Sequence, residues 1–182
     1  IISQTGELSS IEIAYSASQE NKKTITALRY NTNLKGYDIS LNAGKYESRT
    51  TAGVGWSGNI GNCGFRGEGQ FFTSMDSSSI INICTEWDYL LSGSWYINLS
   101  GLYCGLGKKA TNNESLSGVF KTNPLQPMPF KWSSALSIQK NIATLWNISS
   151  IIVYAPLSDI LIFYPTVTYD AGKRMDIGVS LQ

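Results

Sequence analysis

The chain has 182 residues, of which 42% are hydrophobic and only 15% are charged, and its formal net charge is +1. This charge is too small for a surface that binds nucleic acid, so we expect no nucleic-acid partner. Histidine is absent, which removes the usual general base and the commonest metal ligand. We therefore expect no catalytic residues, no metal and no cofactor.

In chain order, eleven segments alternate between apolar and polar residues, and clusters of Gly, Asn, Ser, Asp and Pro separate them. They span 8 to 17, 24 to 32, 37 to 46, 50 to 58, 63 to 73, 79 to 90, 95 to 105, 131 to 140, 145 to 154, 160 to 169 and 174 to 182. Most approach the length of about 9 to 11 residues of a tilted membrane strand, whereas no apolar run approaches the roughly 18 residues of a membrane-spanning helix.

These segments predict an all-β fold, an antiparallel up-and-down transmembrane β-barrel that forms a single domain over residues 1 to 182. A soluble domain usually carries about a quarter charged residues, and the low charge here favours strands that do not face bulk water. Bacterial barrels have an even number of strands, so eleven strands imply a missing closing strand and a complete barrel of about twelve or more.

The segment 95 to 104, WYINLSGLYC, places large apolar residues on one face and mostly polar residues on the other. The same alternation in the other segments predicts one continuous outward face with aromatic residues near both ends of the strands. Rings at the two ends are expected at lipid headgroups. The predicted membrane-interface aromatics are Tyr15, Tyr30, Tyr37, Trp56, Trp87, Tyr89, Trp95, Tyr103, Trp132, Trp146, Tyr154 and Tyr169.

The opposite face carries most of the charged residues that fall within strands. The predicted pore-lining residues are Glu12, Arg29, Asp38, Arg66, Glu68, Gln70, Glu86, Asp88 and Asp176. Arg66, Glu68, Gln70, Glu86 and Asp88 are expected to cluster. Such a cluster either selects ions and solutes, as charged rings do in pores, or forms a salt-bridge network that fills a narrow barrel.

Residues 106 to 130 are too long for an ordinary hairpin and contain three prolines, which is typical of a functional loop. We expect this loop to extend outside the cell or to fold into the lumen. Its lysines, Lys108, Lys109 and Lys121, either attract lipopolysaccharide phosphates or are simply solvated. Cys63, Cys84 and Cys104 are expected to be free, because Cys84 and Cys104 are offset along their strands.

Three stretches carry a resemblance to a known class: YDISLNAGKYESRTTAGVGWSGNIGNCGFRGEGQFF at 37 to 72, EWDYLLSGSWYINLSGLYCGLG at 86 to 107, and the tail from 136 to 182. They resemble the C-terminal portion of porin-like outer-membrane β-barrels of Gram-negative bacteria. The resemblance implies a bacterial outer-membrane location, contact with membrane lipid and lipopolysaccharide, and either a longer chain or a second barrel-forming chain or complex subunit that completes the wall.

The leading functional prediction is a porin-like channel for passive passage of small solutes or ions. One alternative is a non-conducting scaffold barrel within a larger outer-membrane complex. The other is a secreted soluble β-sandwich that binds a ligand, in which the apolar faces would pack on each other.

Overall fold

A computed structural model describes residues 1–18, 23–74, 77–108, 123–142, 145–170 and 176–180 as a single antiparallel β-sheet. Its twelve strands follow one another in chain order, each paired with the next. The strands are β1 (Ile2–Gly6), β2 (Ser9–Ser18), β3 (Lys23–Leu34), β4 (Tyr37–Tyr46), β5 (Arg49–Ile60), β6 (Cys63–Ser74), β7 (Ser77–Leu91), β8 (Trp95–Cys104), β9 (Trp132–Asn141), β10 (Trp146–Ala155), β11 (Ile160–Asp170) and β12 (Asp176–Ser180). The prediction of an all-β, up-and-down antiparallel fold is confirmed.

The predicted strand count is wrong by one. Each of the eleven predicted spans corresponds to a strand, but Ile2–Gly6 forms an additional strand that pairs with β2. This five-residue segment, ISQTG, is too short to show a clear alternation, and its pairing shifts register between Gln4 and Gly6. The described strands are therefore even in number, and β1 and β12 run in opposite directions at the two edges of the sheet.

Short turns define two ends of the sheet. We call rim A the end that holds the links β1/β2, β3/β4, β5/β6, β7/β8, β9/β10 and β11/β12, and rim B the opposite end. At rim A, Lys35 (φ 52°) and Gly36 (φ 84°) both adopt left-handed conformations, as a two-residue hairpin turn requires. Rim B holds the long connection between β8 and β9.

The register is continuous across the sheet, so every strand contributes to the same two faces. One line of paired residues runs Tyr30, Leu41, Val54, Gly69, Ile83, Tyr103 and Trp132. A line on the other side runs Asp38, Ser57, Arg66, Glu86, Ser100, Ala135, Val153 and Ile162. We call the side of the first line the apolar face and the side of the second the polar face.

The strands are staggered relative to one another. The second line begins at the pair Asn33 and Asp38, beside rim A, and ends at the pair Val153 and Ile162, close to rim B. It therefore shifts by about one residue per strand, in one direction, from β3 to β11.

The polar face is concave. A cleft of about 730 Å³ is lined by side chains of strands from β2 to β8, among them Glu12, Arg29, Gln70, Asn82 and Leu102. The edges of β1 and β12 do not pair with each other over the residues that the structure describes, so the sheet is curved but open there.

Pro165 lies within β11, the strand next to the edge strand β12. Its partner on β10 is Ser150, in regular register.

Candidate functional site

All predicted pore-lining residues with described side chains lie on the polar face. The cross-strand register places Glu12 beside Arg29, Glu68 beside Cys84, and Asp88 beside Gly64. Asp38, Arg66, Gln70 and Glu86 share this face through the same register. The backbone of Asp176 pairs with that of Asp170, but its side chain lies outside the described residues.

Arg66 is the centre of the strongest charge cluster. Its guanidinium donates to Asp88 Oδ1, and its Nε lies 3.7 Å from Glu86 Oε1. Asn98 donates a 2.6 Å hydrogen bond to the same oxygen of Glu86. These contacts join β6, β7 and β8 across the polar face, so the predicted cluster exists as a connected network.

Glu68 and Gln70, which were expected in the same cluster, differ from its other members. Gln70 donates to the hydroxyl of Thr51 on β5 and thus points away from the Arg66 network. Glu68 forms no ion pair within the part of the chain that the structure describes. Around Arg66, the carboxylates of Glu68, Glu86 and Asp88 therefore outnumber the guanidinium.

A second, weaker pair lies nearer the N-terminal edge. Arg29 Nη1 is 4.0 Å from Glu12 Oε2, and Asn31 donates a 3.2 Å hydrogen bond to Glu12 Oε1. Asp38 accepts a 2.8 Å hydrogen bond from Asn33. A cleft of about 620 Å³ opens beside these groups and is bordered by Asp38, Arg66, Glu68 and Glu86.

The polar face changes character after β7. Between the strand ends, β8 to β11 carry no charged side chain on this face, and Asp170 stands at the last position of β11. Leu102, Val153, Ile162 and Tyr164 occupy positions on the same register lines as the charged residues of β6 and β7. Ile151 and Ile162 are 41% and 38% exposed, so an apolar stripe faces open space on an otherwise polar surface.

Asn82 anchors part of the long loop to the polar face. It is only 7% exposed, and its amide donates to the carbonyl oxygens of Pro124, at 3.3 Å, and Leu125, at 3.1 Å. Its own oxygen accepts the N–H of Gly105 at 3.1 Å. Pro124 and Pro127 therefore border the cleft at its rim B end, and Phe130 is buried.

Lys109 and Lys121, which were predicted to attract phosphates or to be solvated, lie outside the described residues. Lys108 is exposed, and its backbone N–H bonds to the carbonyl of Pro129. Sequence reasoning missed the role of Asn82, although a lone Asn within an apolar run, SSIINIC, was a usable signal.

The twelve predicted interface aromatics all lie on the apolar face, each within four residues of an end of its strand. Phe65 stacks with Trp56 and Trp87 near rim A, with ring centroids 5.7 and 4.8 Å apart. Tyr103 and Trp132 form the corresponding pair near rim B, at 4.6 Å. The alternation in the sequence therefore identified one continuous face.

The centre of the apolar face is exposed. Large apolar side chains there are open to the surroundings, and Leu99, in the middle of β8, is 51% exposed. Lys140 is an exception to the apolar composition, and its ammonium lies 4.5 Å from the centre of the Trp95 ring at rim A. Within the described ranges, no helix is long and apolar enough to cross a membrane.

Two rings on this face cover cross-strand glycines, a feature that the sequence did not predict. A Cβ added at Gly67 would lie 2.5 Å from Trp56 Cζ2, and one added at Gly58 would lie 2.5 Å from Tyr37 Cδ1. The Tyr37 hydroxyl also donates to the carbonyl of Asn59 at 3.1 Å. The rings therefore lie flat against the sheet where the glycines leave room, an arrangement that pins strand register.

The cysteines are free, as predicted. Cys84 pairs in register with Leu102, so Cys104 is offset from Cys84 by two positions along the strand. Among the described residues, no group of three or more potential ligands could hold a metal ion.

No protein-family model, curated protein or solved structure gives a significant match to this chain.

Proposed function

We propose that this chain forms the wall of a β-barrel in a bacterial outer membrane and conducts small solutes or ions passively along its polar face. The observation that most supports this proposal is that the two faces of one sheet have opposite chemical character. The convex side is apolar, exposed and bordered by aromatics at both rims, while the concave side carries the charged residues.

The apolar face requires an apolar surrounding. Leu28, Leu41 and Leu99 lie near the middle of their strands and are all about half exposed. Transfer of apolar surface out of water gains about 25 cal/mol per Å², so a face of this extent is unfavourable in water. Hydrocarbon covers such a face without a protein partner, and rings at both rims match the two headgroup regions.

The stagger of the strands supports closure into a barrel. A sheet closes only when its strands tilt and the register shifts steadily in one direction, and the described register shifts by about one residue per strand. The edges of β1 and β12 are antiparallel to each other and both lie toward rim A. Closure between these edges, or through further strands, would give the backbone N–H and C=O groups of the edge strands the hydrogen-bond partners that lipid cannot provide.

Within such a barrel the polar face lines the lumen. The charged and hydroxyl groups of this face would act on a passing solute through pore width and charge, which is the basis of selectivity in passive channels.

A second candidate, the non-conducting scaffold, is favoured by one observation. Residues 123–130 lie over the concave side and are held there by Asn82. A lumen blocked by this segment would leave a barrel that docks partners instead of conducting.

Adjacent substitutions on β8 test the membrane proposal. Arginine on the lipid face near the bilayer midplane costs about 2–4 kcal/mol, so Leu99→Arg should reduce folding into lipid vesicles. Ser100→Arg, one residue away on the polar face, should fold as well as the original chain. The measurement is the folded fraction at increasing urea, read from tryptophan fluorescence. Equal behaviour of the two variants, or a protein that stays soluble without detergent, would contradict a membrane barrel.

Planar-bilayer recording then separates the two candidates. Stepwise conductance by the purified protein supports a channel, and folded protein that inserts without conductance supports the scaffold.

A further inference from the structure

We infer that the polar face takes organic cations that carry an apolar group, with the charged part at the carboxylates of β6 and β7 and the apolar part on the uncharged stripe of β8 to β11. This inference rests on the proposed channel, because it names the class of solute that the channel would prefer.

The first step concerns charge. Glu68, Glu86 and Asp88 stand around Arg66, which forms ion pairs with Glu86 and Asp88. Glu68 has no ion pair among the described residues and borders the same cleft. The negative charge that remains attracts cations and repels anions, and it acts on solutes that approach along the cleft.

The second step concerns the apolar stripe. Ile151 and Ile162 are more than a third exposed on the polar face. Single exposed apolar residues need no explanation, but these belong to a connected set. Val153 pairs with Ile162, and Ile151 pairs with Tyr164. A connected apolar surface on the wall of a polar passage indicates an apolar occupant.

The third step concerns position. Glu86 pairs with Ser100, so Leu102 is its diagonal neighbour, about 7–8 Å away. Along the same register line, Ser100 and Ala135 separate Glu86 from Val153. Val153 is three strands away, roughly 14 Å at the usual spacing between strands.

The two residues between Glu86 and Val153 are small and uncharged. A cationic head between Glu68 and Glu86, which border the same cleft, can therefore extend an alkyl chain over Ser100 and Ala135 onto Leu102 and Val153 without meeting another charge. The charge selects a cation over an anion or a neutral amphiphile, and the stripe selects a chain over a small ion.

The test uses open-channel block in planar bilayers with octyltrimethylammonium, tetramethylammonium and octanesulfonate. Octyltrimethylammonium should block at a concentration about tenfold lower than tetramethylammonium, because two or so methylene groups become buried. Octanesulfonate should block least. Equal block by octanesulfonate and octyltrimethylammonium would overturn the preference for cations.

Variants then assign each part of the site. Val153→Ser with Ile162→Ser should remove the tenfold difference between the two cations and leave tetramethylammonium block unchanged. Ile142→Ser, in the turn between β9 and β10, is the matched control. If the two cations block the double variant as they block the control, the apolar stripe is not the contact surface and the inference is wrong.

Charge is tested by Glu68→Gln, which should weaken block by both cations about threefold, with Glu7→Gln in the β1/β2 turn as control. Calorimetric titration of octyltrimethylammonium into the protein in vesicles, corrected with empty vesicles, separates failure of this inference from failure of the channel. Binding that the variants weaken, without conductance, would retain the site and reject the channel. Conductance without such binding would retain the channel and reject the binding site.

Discussion

The polar face consists of two unlike regions on one sheet. From β2 to β7 it carries two clusters of carboxylates and guanidinium groups, Glu12 with Arg29 and Arg66 with Glu86 and Asp88. From β8 to β11 it carries hydroxyls, amides and an exposed apolar stripe. The same alternation of residues builds both regions, so the pattern that separates the apolar face from the polar face does not determine which chemical groups the polar face carries.

Two glycines, one in each group of strands, differ in how closely a neighbouring backbone approaches them, and this gives the largest expected effect. A Cβ at Gly44 on β4 would overlap the carbonyl oxygen of Thr26 on β3. Gly44→Ala should therefore shift strands apart and lower the free energy of unfolding by about 3 kcal/mol. Urea unfolding in lipid vesicles, followed by tryptophan fluorescence, measures the change.

The matched control is Gly101→Ala on β8, where the nearest atom to an added Cβ is Thr85 Oγ1 at 3.7 Å. This contact is ordinary, so the control should change stability by less than about 1 kcal/mol. Equal losses at Gly44 and Gly101 would mean that the close approach of β3 and β4 does not matter for stability.

The two regions meet at Asn82, which bonds to the loop between β8 and β9 from a position on β7. Asn82→Ala leaves two carbonyl groups without this donor, and we expect a loss of about 2 kcal/mol in stability. If residues 123–130 narrow the passage, single-channel conductance should also rise. Asn147→Ala, which removes one exposed amide contact to Asn141, should change neither quantity. Unchanged conductance in Asn82→Ala would exclude the segment as a constriction.

The smallest expected effect is a difference in thiol labelling between the regions. Cys84 lies beside Glu68 in register, and in a Cys63→Ala background it should react about threefold faster with a cationic methanethiosulfonate than with an anionic one. Cys104 is fully buried and should stay unlabelled. Ser137→Cys, in a background with Cys63 and Cys84 replaced by Ala, should show a ratio near unity. If the ratio of the two labelling rates at position 137 equals that at Cys84, the expected difference in electrostatic potential between the two regions is wrong.

Alternation predicted the faces well, because side chains in a strand have a strict period of two. Residues far apart in the chain, such as Tyr30 and Trp132, were assigned to one face from this period alone, and the register confirms it. Eleven strands were placed correctly for the same reason. The five residues of β1 were missed because so short a segment shows no clear period.

The contacts of individual side chains were less predictable. Glu68 and Gln70 belong to the expected set by position, yet Gln70 turns to Thr51 and Glu68 stays outside the ion pairs. Two partners of Asn82, Pro124 and Leu125, lie more than forty residues away, in a loop whose path no local pattern describes. Such contacts depend on stagger and curvature, which belong to the whole sheet.

The ring of Trp56 over Gly67 has a consequence for how this sequence can diverge. Neither residue can change freely, since a side chain at position 67 would displace the ring and a smaller residue at position 56 would uncover the backbone of β6. Related sequences should therefore change both positions together or keep both. The same coupling is expected between Tyr37 and Gly58. In a set of related sequences, the two members of each pair would covary. The two pairs would then identify the register of β4, β5 and β6 even where every other residue had changed.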